Sequence, residues 1–120
     1  MASAYSFRLN DPQGFSPEQA KNGRGNEFVA RSPWDVIILP EAQTVIRTCV
    51  EVFSWKNDNP IVCKCTAFDG AISSHIVIPP DSPTEIRITV KNTDPKHPLC
   101  IRAGQKIGTI LVSLQQQRQQ

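Results

Sequence analysis

The sequence predicts an all-β fold, an antiparallel barrel or sandwich made of short strands. Candidate strands recur about every ten residues, with turn-forming residues between them. The 120 residues include ten prolines and six glycines, a composition that favours many short segments over long helices. From Thr84 to Lys91, the side chains of Ile86, Ile88 and Val90 alternate with polar ones, which predicts a strand with one buried and one solvated face.

Nine strands are expected along the chain, each bounded by proline, glycine or small polar residues. They are predicted at 5–9, 26–31, 34–39, 43–55, 61–67, 75–78, 84–91, 99–102 and 107–114. Pro33 and Pro40 bracket the strand at 34–39, so it is expected at an edge or in a short pairing. Ser16 as N-cap and Pro17 at the first helical position predict a single helical turn over 16–19.

Side-chain alternation also predicts which residues of a strand share a face. In the strand at 43–55, one face carries Ile46, Thr48, Val50 and Val52, while Cys49 belongs to the opposite face. Residues 110–112 are consecutive and apolar, which predicts that the last strand is covered on both faces.

The length and charge of the chain restrict the functions that it could have. A chain of 120 residues is enough for one domain with a core. We expect residues 1–25 to add a strand and loop to a barrel at 26–114, followed by a mobile glutamine-rich tail at 115–120. The net charge of +2 without a basic block gives no support for nucleic-acid binding. No apolar window of about 18 residues and no signal peptide are visible, so we expect no membrane span and an intracellular location.

Four cysteines could indicate a metal site or ordinary reduced thiols. Cys63 and Cys65 are two positions apart on a predicted strand and share one face, with His75 or His97 as possible additional ligands. Structural zinc sites usually pair cysteines two to four residues apart on a turn, so this spacing is wrong for zinc. The sequence therefore predicts four free thiols that act as small buried hydrophobes, with no metal and no cofactor.

Catalytic motifs are absent or weak. The chain has neither a glycine-rich phosphate loop nor a paired carboxylate motif, and neither histidine has a placed catalytic partner. Lys21, Arg24 and Arg31 could form a basic patch, but a solvated surface is the favoured interpretation.

Two segments carry a family resemblance. Residues 76–88 read Ile-Val-Ile-Pro-Pro-Asp-Ser-Pro-Thr-Glu-Ile-Arg-Ile, and residues 104–112 read Gly-Gln-Lys-Ile-Gly-Thr-Ile-Leu-Val. They resemble the third and fourth motifs of the dUTPases, small trimeric β-barrel pyrophosphatases of deoxyuridine triphosphate. Residues 35–41 and 60–70 resemble the segments after that family's first motif and before its second. The resemblance implies a jelly-roll-like antiparallel barrel and a possible homotrimer.

The positions at which the resemblance implies chemistry hold other residues here. In the second motif an Arg and a Ser before a Gly bind phosphate, whereas this chain has Phe68 and Asp69 before Gly70. In the third motif, the water-activating Asp is replaced by Pro79 and the stacking Tyr by Ser82. A further set of positions departs from the family pattern or lacks its partner. Asp81 matches a second acidic position of the third motif, but the Asp with which it would act is missing. Thr109 replaces the Gln of the fourth motif. The first motif and the glycine-rich fifth motif have no counterpart.

The pattern of matched scaffold and lost chemistry resembles the adenoviral early-region-4 dUTPase-like proteins. The segments Tyr5-Ser-Phe, Pro12-Gln-Gly, Asn26-Glu-Phe and Ser32-Pro carry this likeness. It implies a catalytically inactive viral early protein that engages host signalling proteins. PDZ domains are an improbable partner for the tail, because Gln120 would place an amide in an apolar pocket.

Three functions are weighed. The favoured one is protein–protein interaction with a host partner through the barrel. Its candidate contact residues are Phe68, Pro79, Pro80 and Pro83. The alternatives are an active or residual deoxyuridine triphosphate pyrophosphatase and a trimeric decoration protein of a virus particle.

Overall fold

The computed structural model describes residues 5–21, 25–54 and 60–114, and these contain strands and turns but no helix. Ten strands are present. They are β1 Tyr5–Leu9, β2 Glu18–Gln19, β3 Glu27–Arg31, β4 Val36–Ile38, β5 Gln43–Ser54, β6 Ile61–Ala67, β7 Ser73–Ile78, β8 Thr84–Lys91, β9 Leu99–Ile101 and β10 Lys106–Leu114. The predicted all-β class is therefore confirmed. Arg24, the end of the long strand at residue 55 and the predicted mobile tail at 115–120 lie outside the described residues.

The strands form three antiparallel sheets around one core. One sheet has the order β1-β5-β8, a second has the order β2-β3-β10-β6-β7, and β4 pairs with β9 in a two-stranded ribbon. Because β10 lies between β3 and β6, this strand occupies the middle of the largest sheet. The short β4, enclosed by prolines in sequence, pairs only with β9 among the described strands, as predicted for an edge element.

The core is built from the faces that the alternation predicted. Ile86, Ile88 and Val90 on β8 are almost fully buried, and so are Ile107 and Ile110 on β10. The same holds for the inward face of β5 (Ile46, Thr48, Val50 and Val52) and for that of β6 (Ile61, Cys63, Cys65 and Ala67). The two larger sheets therefore meet through aliphatic side chains, the arrangement expected when period-two strands pack face to face.

Three local predictions were wrong. Residues 16–19 do not form a helical turn: Glu18 and Gln19 pair with Val29 and Phe28 as the short strand β2, since tertiary pairing supplies the hydrogen bonds that a helix would have supplied. Cys100 is exposed rather than buried, because its neighbour Ile101 takes the inward face of β9. Leu111, expected to be covered, is only half-buried in the single chain.

Cys49 departs from the alternation of β5. Alternation places Cys49 on the face opposite to Ile46 and Val52, yet both faces are buried at this point: Cys49 is fully buried, and its φ of 60° lies in the left-handed region. The pairing register of β5 with β8 shifts between Arg47 and Glu51, so Cys49 is part of a β-bulge. A Cβ at Gly14 would lie 3.0 Å from the Cys49 carbonyl oxygen, which shows how closely the N-terminal loop covers the bulge.

Candidate functional site

The turn from Phe68 to Gly70 connects β6 to β7. It is closed by a hydrogen bond from the Gly70 N–H to the Ala67 carbonyl oxygen (2.8 Å), and Gly70 has a φ of 75°. The Asp69 carboxylate accepts the Ala71 N–H at 3.0 Å, so it serves the turn. The side chain of Phe68 is 43% exposed. This turn therefore presents an aromatic ring to solvent where the resemblance implies a phosphate-binding cation.

The turn from Pro79 to Ser82 connects β7 to β8. The Ser82 N–H donates to the Pro79 carbonyl oxygen at 3.3 Å, and Asp81 has a φ of 59°. Pro79, Asp81 and Ser82 are exposed, and Pro80 is half-buried. Proline has no proton-accepting side chain, so the residue at the expected position of the base cannot activate water.

The two turns lie at opposite ends of β7. A six-residue strand spans about 20 Å, so Phe68–Gly70 and Pro79–Ser82 do not form one site within a single chain. Thr109 lies close to the Phe68–Gly70 turn. It is the register partner of Thr66, and the Phe68 N–H donates to the carbonyl oxygen of Ile107, two residues before Thr109. The sequence-predicted positions therefore divide into two groups within one chain.

A polar groove of about 520 Å³ runs beside Thr109, on the side of β2, β3 and β10. Its charged lining residues are Lys21, Arg31 and Lys106 with Glu18 and Glu27. The sequence suggested Lys21 and Arg31 as a possible basic patch, and the structure brings both to this groove. Lys106 was missed, because it approaches Arg31 only through the β3–β10 register.

The fold has close counterparts among solved structures. The dUTPase of phage phi11 of Staphylococcus aureus superposes with a TM-score of 0.75 at 15% sequence identity, covering 98% of this chain and 95% of that chain. The dUTPase of Staphylococcus bacteriophage 80alpha gives a TM-score of 0.75 at 15% identity, covering 99% and 95%. This chain has the fold of a dUTPase.

Sequence comparison adds no closer relationship. No protein-family model matches the chain, and no curated protein matches it in sequence. The dUTPase fold therefore rests on the arrangement of strands. At this level of identity the likeness establishes the architecture alone.

Metal ligands are not clustered in the part of the chain that the structure describes, where no group of three or more His, Cys, Asp or Glu side chains could hold an ion. Burial raises the pKa of Cys63 to about 12 and that of Cys65 to about 11, so both thiols stay protonated at neutral pH. The described residues also include no helix that could span a membrane.

A network of charged side chains covers the outer surface of the β1-β5-β8 sheet. The Arg47 Nη2 atom lies 2.9 Å from Glu85 Oε2, the Arg87 Nε atom lies 3.1 Å from Glu85 Oε1, and Asn10 donates to the same carboxylate at 2.9 Å. Beside it, the Arg8 Nε atom lies 2.8 Å from Glu51 Oε1. Hydrogen bonding to Arg47 is the largest influence on Glu85 and lowers its pKa to about 2, although partial burial opposes this.

The lowered pKa of Glu85 predicts acid-sensitive stability. The folded state favours the ionised carboxylate, so its contribution is present above the usual pKa of 4.5 and is lost as the pH falls towards about 2. Because Arg47 and Arg87 are about half exposed, we expect a loss on the order of 1–2 kcal/mol over this range. Urea unfolding at pH 6 and pH 3 would measure it. The Glu85→Gln variant should be less stable than the original protein at pH 6, and it should lose less stability between pH 6 and pH 3. If the variant and the original protein lose the same stability over this range, Glu85 is not the responsible group.

Proposed function

We propose that this protein acts without hydrolysing nucleotides, as a viral dUTPase-fold protein that binds a host signalling protein inside the cell. The observation that carries the proposal is the exposed ring of Phe68 at the turn where the resemblance implies phosphate binding. An exposed aromatic side chain on a rigid turn is a typical anchor for a protein partner, whereas a triphosphate needs cations and backbone donors.

The neighbouring carboxylate supports the same proposal. Asp69 is exposed beside Phe68 and would repel the negative charge of a triphosphate. At the other end of β7, Pro79 cannot act as a base and Ser82 offers no ring for stacking on a sugar. Pro79 and Pro83 expose rigid apolar surface instead, and Pro80 is half-buried beside them, so this turn is a second possible contact region.

A homotrimer is part of the proposal because one chain keeps the two turns apart. In a closed ring of copies, the Phe68 turn of one protomer could lie beside the Pro79 turn of the next, which would build a composite surface. The phage 80alpha dUTPase controls the transfer of virulence genes by a G protein-like mechanism. That example supports the idea that a dUTPase fold can have a regulatory role.

The proposal is tested by one experiment with two arms. In the first arm, the purified protein with Mg²⁺ and deoxyuridine triphosphate should release no pyrophosphate above the buffer level, while the phi11 dUTPase serves as positive control. Turnover that scales with the amount of protein and disappears in Asp81→Ala would show that the protein is an enzyme and would overturn the proposal.

In the second arm, the immobilised protein is used to capture partners from host lysate. Phe68→Ser should reduce recovery of the specific partner about tenfold or more, as expected for loss of an anchoring aromatic side chain. Leu39→Ser is the matched control, because Leu39 is even more exposed, at 65%, but lies in the turn after β4. Deletion of residues 115–120 should leave recovery unchanged; loss upon this deletion, with Phe68→Ser still binding, would move the site to the tail.

Residual pyrophosphatase activity is the second candidate. It is favoured by the groove beside Thr109, where Arg31 and Lys106 could approach phosphate groups. The first arm decides between the two candidates.

A further inference from the structure

The strand β7 forms one edge of the five-stranded sheet. It pairs with β6 along its whole length, from Ile78 opposite Ile61 to Ser73 opposite Thr66, without a register shift. No other strand in the described ranges pairs with its second side. A strand of six residues therefore carries a row of main-chain groups that have no partner strand on that side.

The hydrogen-bond pattern identifies which groups these are. The Ala67 N–H donates to the Ile72 carbonyl oxygen at 2.9 Å, so residues 67 and 72 form a hydrogen-bonded pair. In an antiparallel ladder, hydrogen-bonded pairs alternate with non-hydrogen-bonded pairs. The main-chain groups of Ser74, Ile76 and Ile78 therefore form hydrogen bonds with β6. The N–H and C=O groups of the intervening residues Ser73, His75 and Val77 consequently point away from β6, towards the open edge.

This edge has none of the usual protection against strand addition. Its residues Ser-Ser-His-Ile-Val-Ile include no lysine, arginine, carboxylate or proline, and the pairing has no bulge. The edge strand β8 of the other large sheet differs: it carries Glu85, Arg87 and Lys91, and its pairing with β5 is irregular. The opposite edge, β2, is only two residues long.

The outward side chains define the chemistry of a matching strand. Lys64 on β6 is the register partner of His75, both are exposed, and neither side chain has a hydrogen-bond partner among the described residues. Val77 is 53% exposed beside Val62. An added strand would therefore be favoured by a carboxylate opposite His75 and by an apolar side chain opposite Val77, two positions apart in either strand direction.

We propose that the free edge of β7 binds an extended peptide segment of a partner protein as a sixth strand of the sheet. Main-chain hydrogen bonds to Ser73, His75 and Val77 hold the segment, and a carboxylate two residues from a β-branched side chain selects it. The edge is about 20 Å long, too short to bury the area that a stable dimer of folded proteins needs, so a linear segment is the occupant that fits. This inference rests on the proposed role in protein interaction and specifies how the partner is recognised.

The test is selection of a phage-displayed library of random ten-residue peptides on the immobilised full-length protein. Selected peptides should carry Asp or Glu two positions from Val, Ile or Thr. His75→Pro removes the central outward N–H while leaving the β6 ladder intact, and should weaken a selected peptide about tenfold or more. His75→Thr also removes the imidazole but retains the N–H, so it is the matched control and should bind within about threefold of the original protein. Both variants must first give unfolding curves close to that of the original protein, and Val77→Pro replaces His75→Pro if they do not.

Hydrogen exchange followed by NMR gives a direct second measurement. In the complex, the amide protons of Ser73, His75 and Val77 should exchange more slowly, whereas those of Ser74, Ile76 and Ile78 are already protected by β6. Recovery of no binding peptide, or peptides that bind His75→Pro and His75→Thr equally, would overturn the inference. Concentration-dependent dimers that disappear in His75→Pro would also overturn it, by assigning the edge to a second copy. These outcomes are independent of the hydrolysis assay, in which turnover would refute the proposed function itself.

Discussion

Ile88→Ala should lower the free energy of unfolding by about 2–5 kcal/mol, the range for truncating a buried aliphatic side chain. Ile88 is only 1% exposed and lies in the middle of β8, where its Cγ2 atom faces Gly108 on β10. The two larger sheets meet at this point, so neighbouring strands cannot collapse into the space without moving a whole sheet. Equilibrium unfolding in urea, monitored by tryptophan fluorescence, would measure the change.

The control for this prediction is the adjacent residue on the opposite face of the same strand. Arg87 is exposed and contacts Glu85, so Arg87→Ala should cost under about 1 kcal/mol. Similar costs for Ile88→Ala and Arg87→Ala would show that the assignment of buried and solvated faces on β8 is wrong.

Gly108→Ala should destabilise the fold by about 3 kcal/mol or more, because there is no room for a methyl group. A Cβ at this position would overlap the Thr66 carbonyl oxygen and would come within 3.2 Å of Ile88 Cγ2. The first obstacle is main chain in the neighbouring strand β6, which cannot rotate away as a side chain could.

Gly70→Ala separates this steric effect from the loss of glycine's backbone freedom. Gly70 has a φ of 75°, but a Cβ there meets nothing within 4 Å, so the substitution should cost only about 1 kcal/mol of backbone strain. Urea unfolding of both variants would compare them directly. If Gly108→Ala costs no more than Gly70→Ala, close packing between β6 and β10 is not what requires glycine at 108.

The strands that were predicted most accurately are those with local signals. β6 and β8 have the expected bounds because their side chains alternate without interruption and polar turns or prolines flank them. The errors arose where distant residues decide the structure. Glu18 and Gln19 form a strand because β3 is available for pairing, and Cys49 is buried because the loop at Gly14 covers it. Neither contact leaves a pattern in the neighbouring sequence.

The motif positions of the candidate site can be assigned from the sequence, whereas their spatial arrangement cannot. The resemblance to the dUTPases pointed to Phe68 and Pro79 by motif position, and the pairing of all six residues of β7 with β6 fixes how far apart the two turns lie. Similarly, Lys106 is far from Arg31 in sequence, and the register of β10 against β3 brings them together. Residues with suitable functional groups can be identified in a sequence, whereas the distances between them depend on strand pairing between distant parts of the chain.

The cysteines differ in burial, so their reactivity reports whether the chain is folded. Cys49, Cys63 and Cys65 are buried, and Cys100 alone is exposed to solvent. The thiolate is the form that reacts with alkylating agents, and the raised pKa values of Cys63 and Cys65 suppress it further. The number of thiols that react with a maleimide therefore reports whether the chain is folded: one thiol should react in the native protein and four in the denatured chain. A dye can thus be attached at β9 without any mutation.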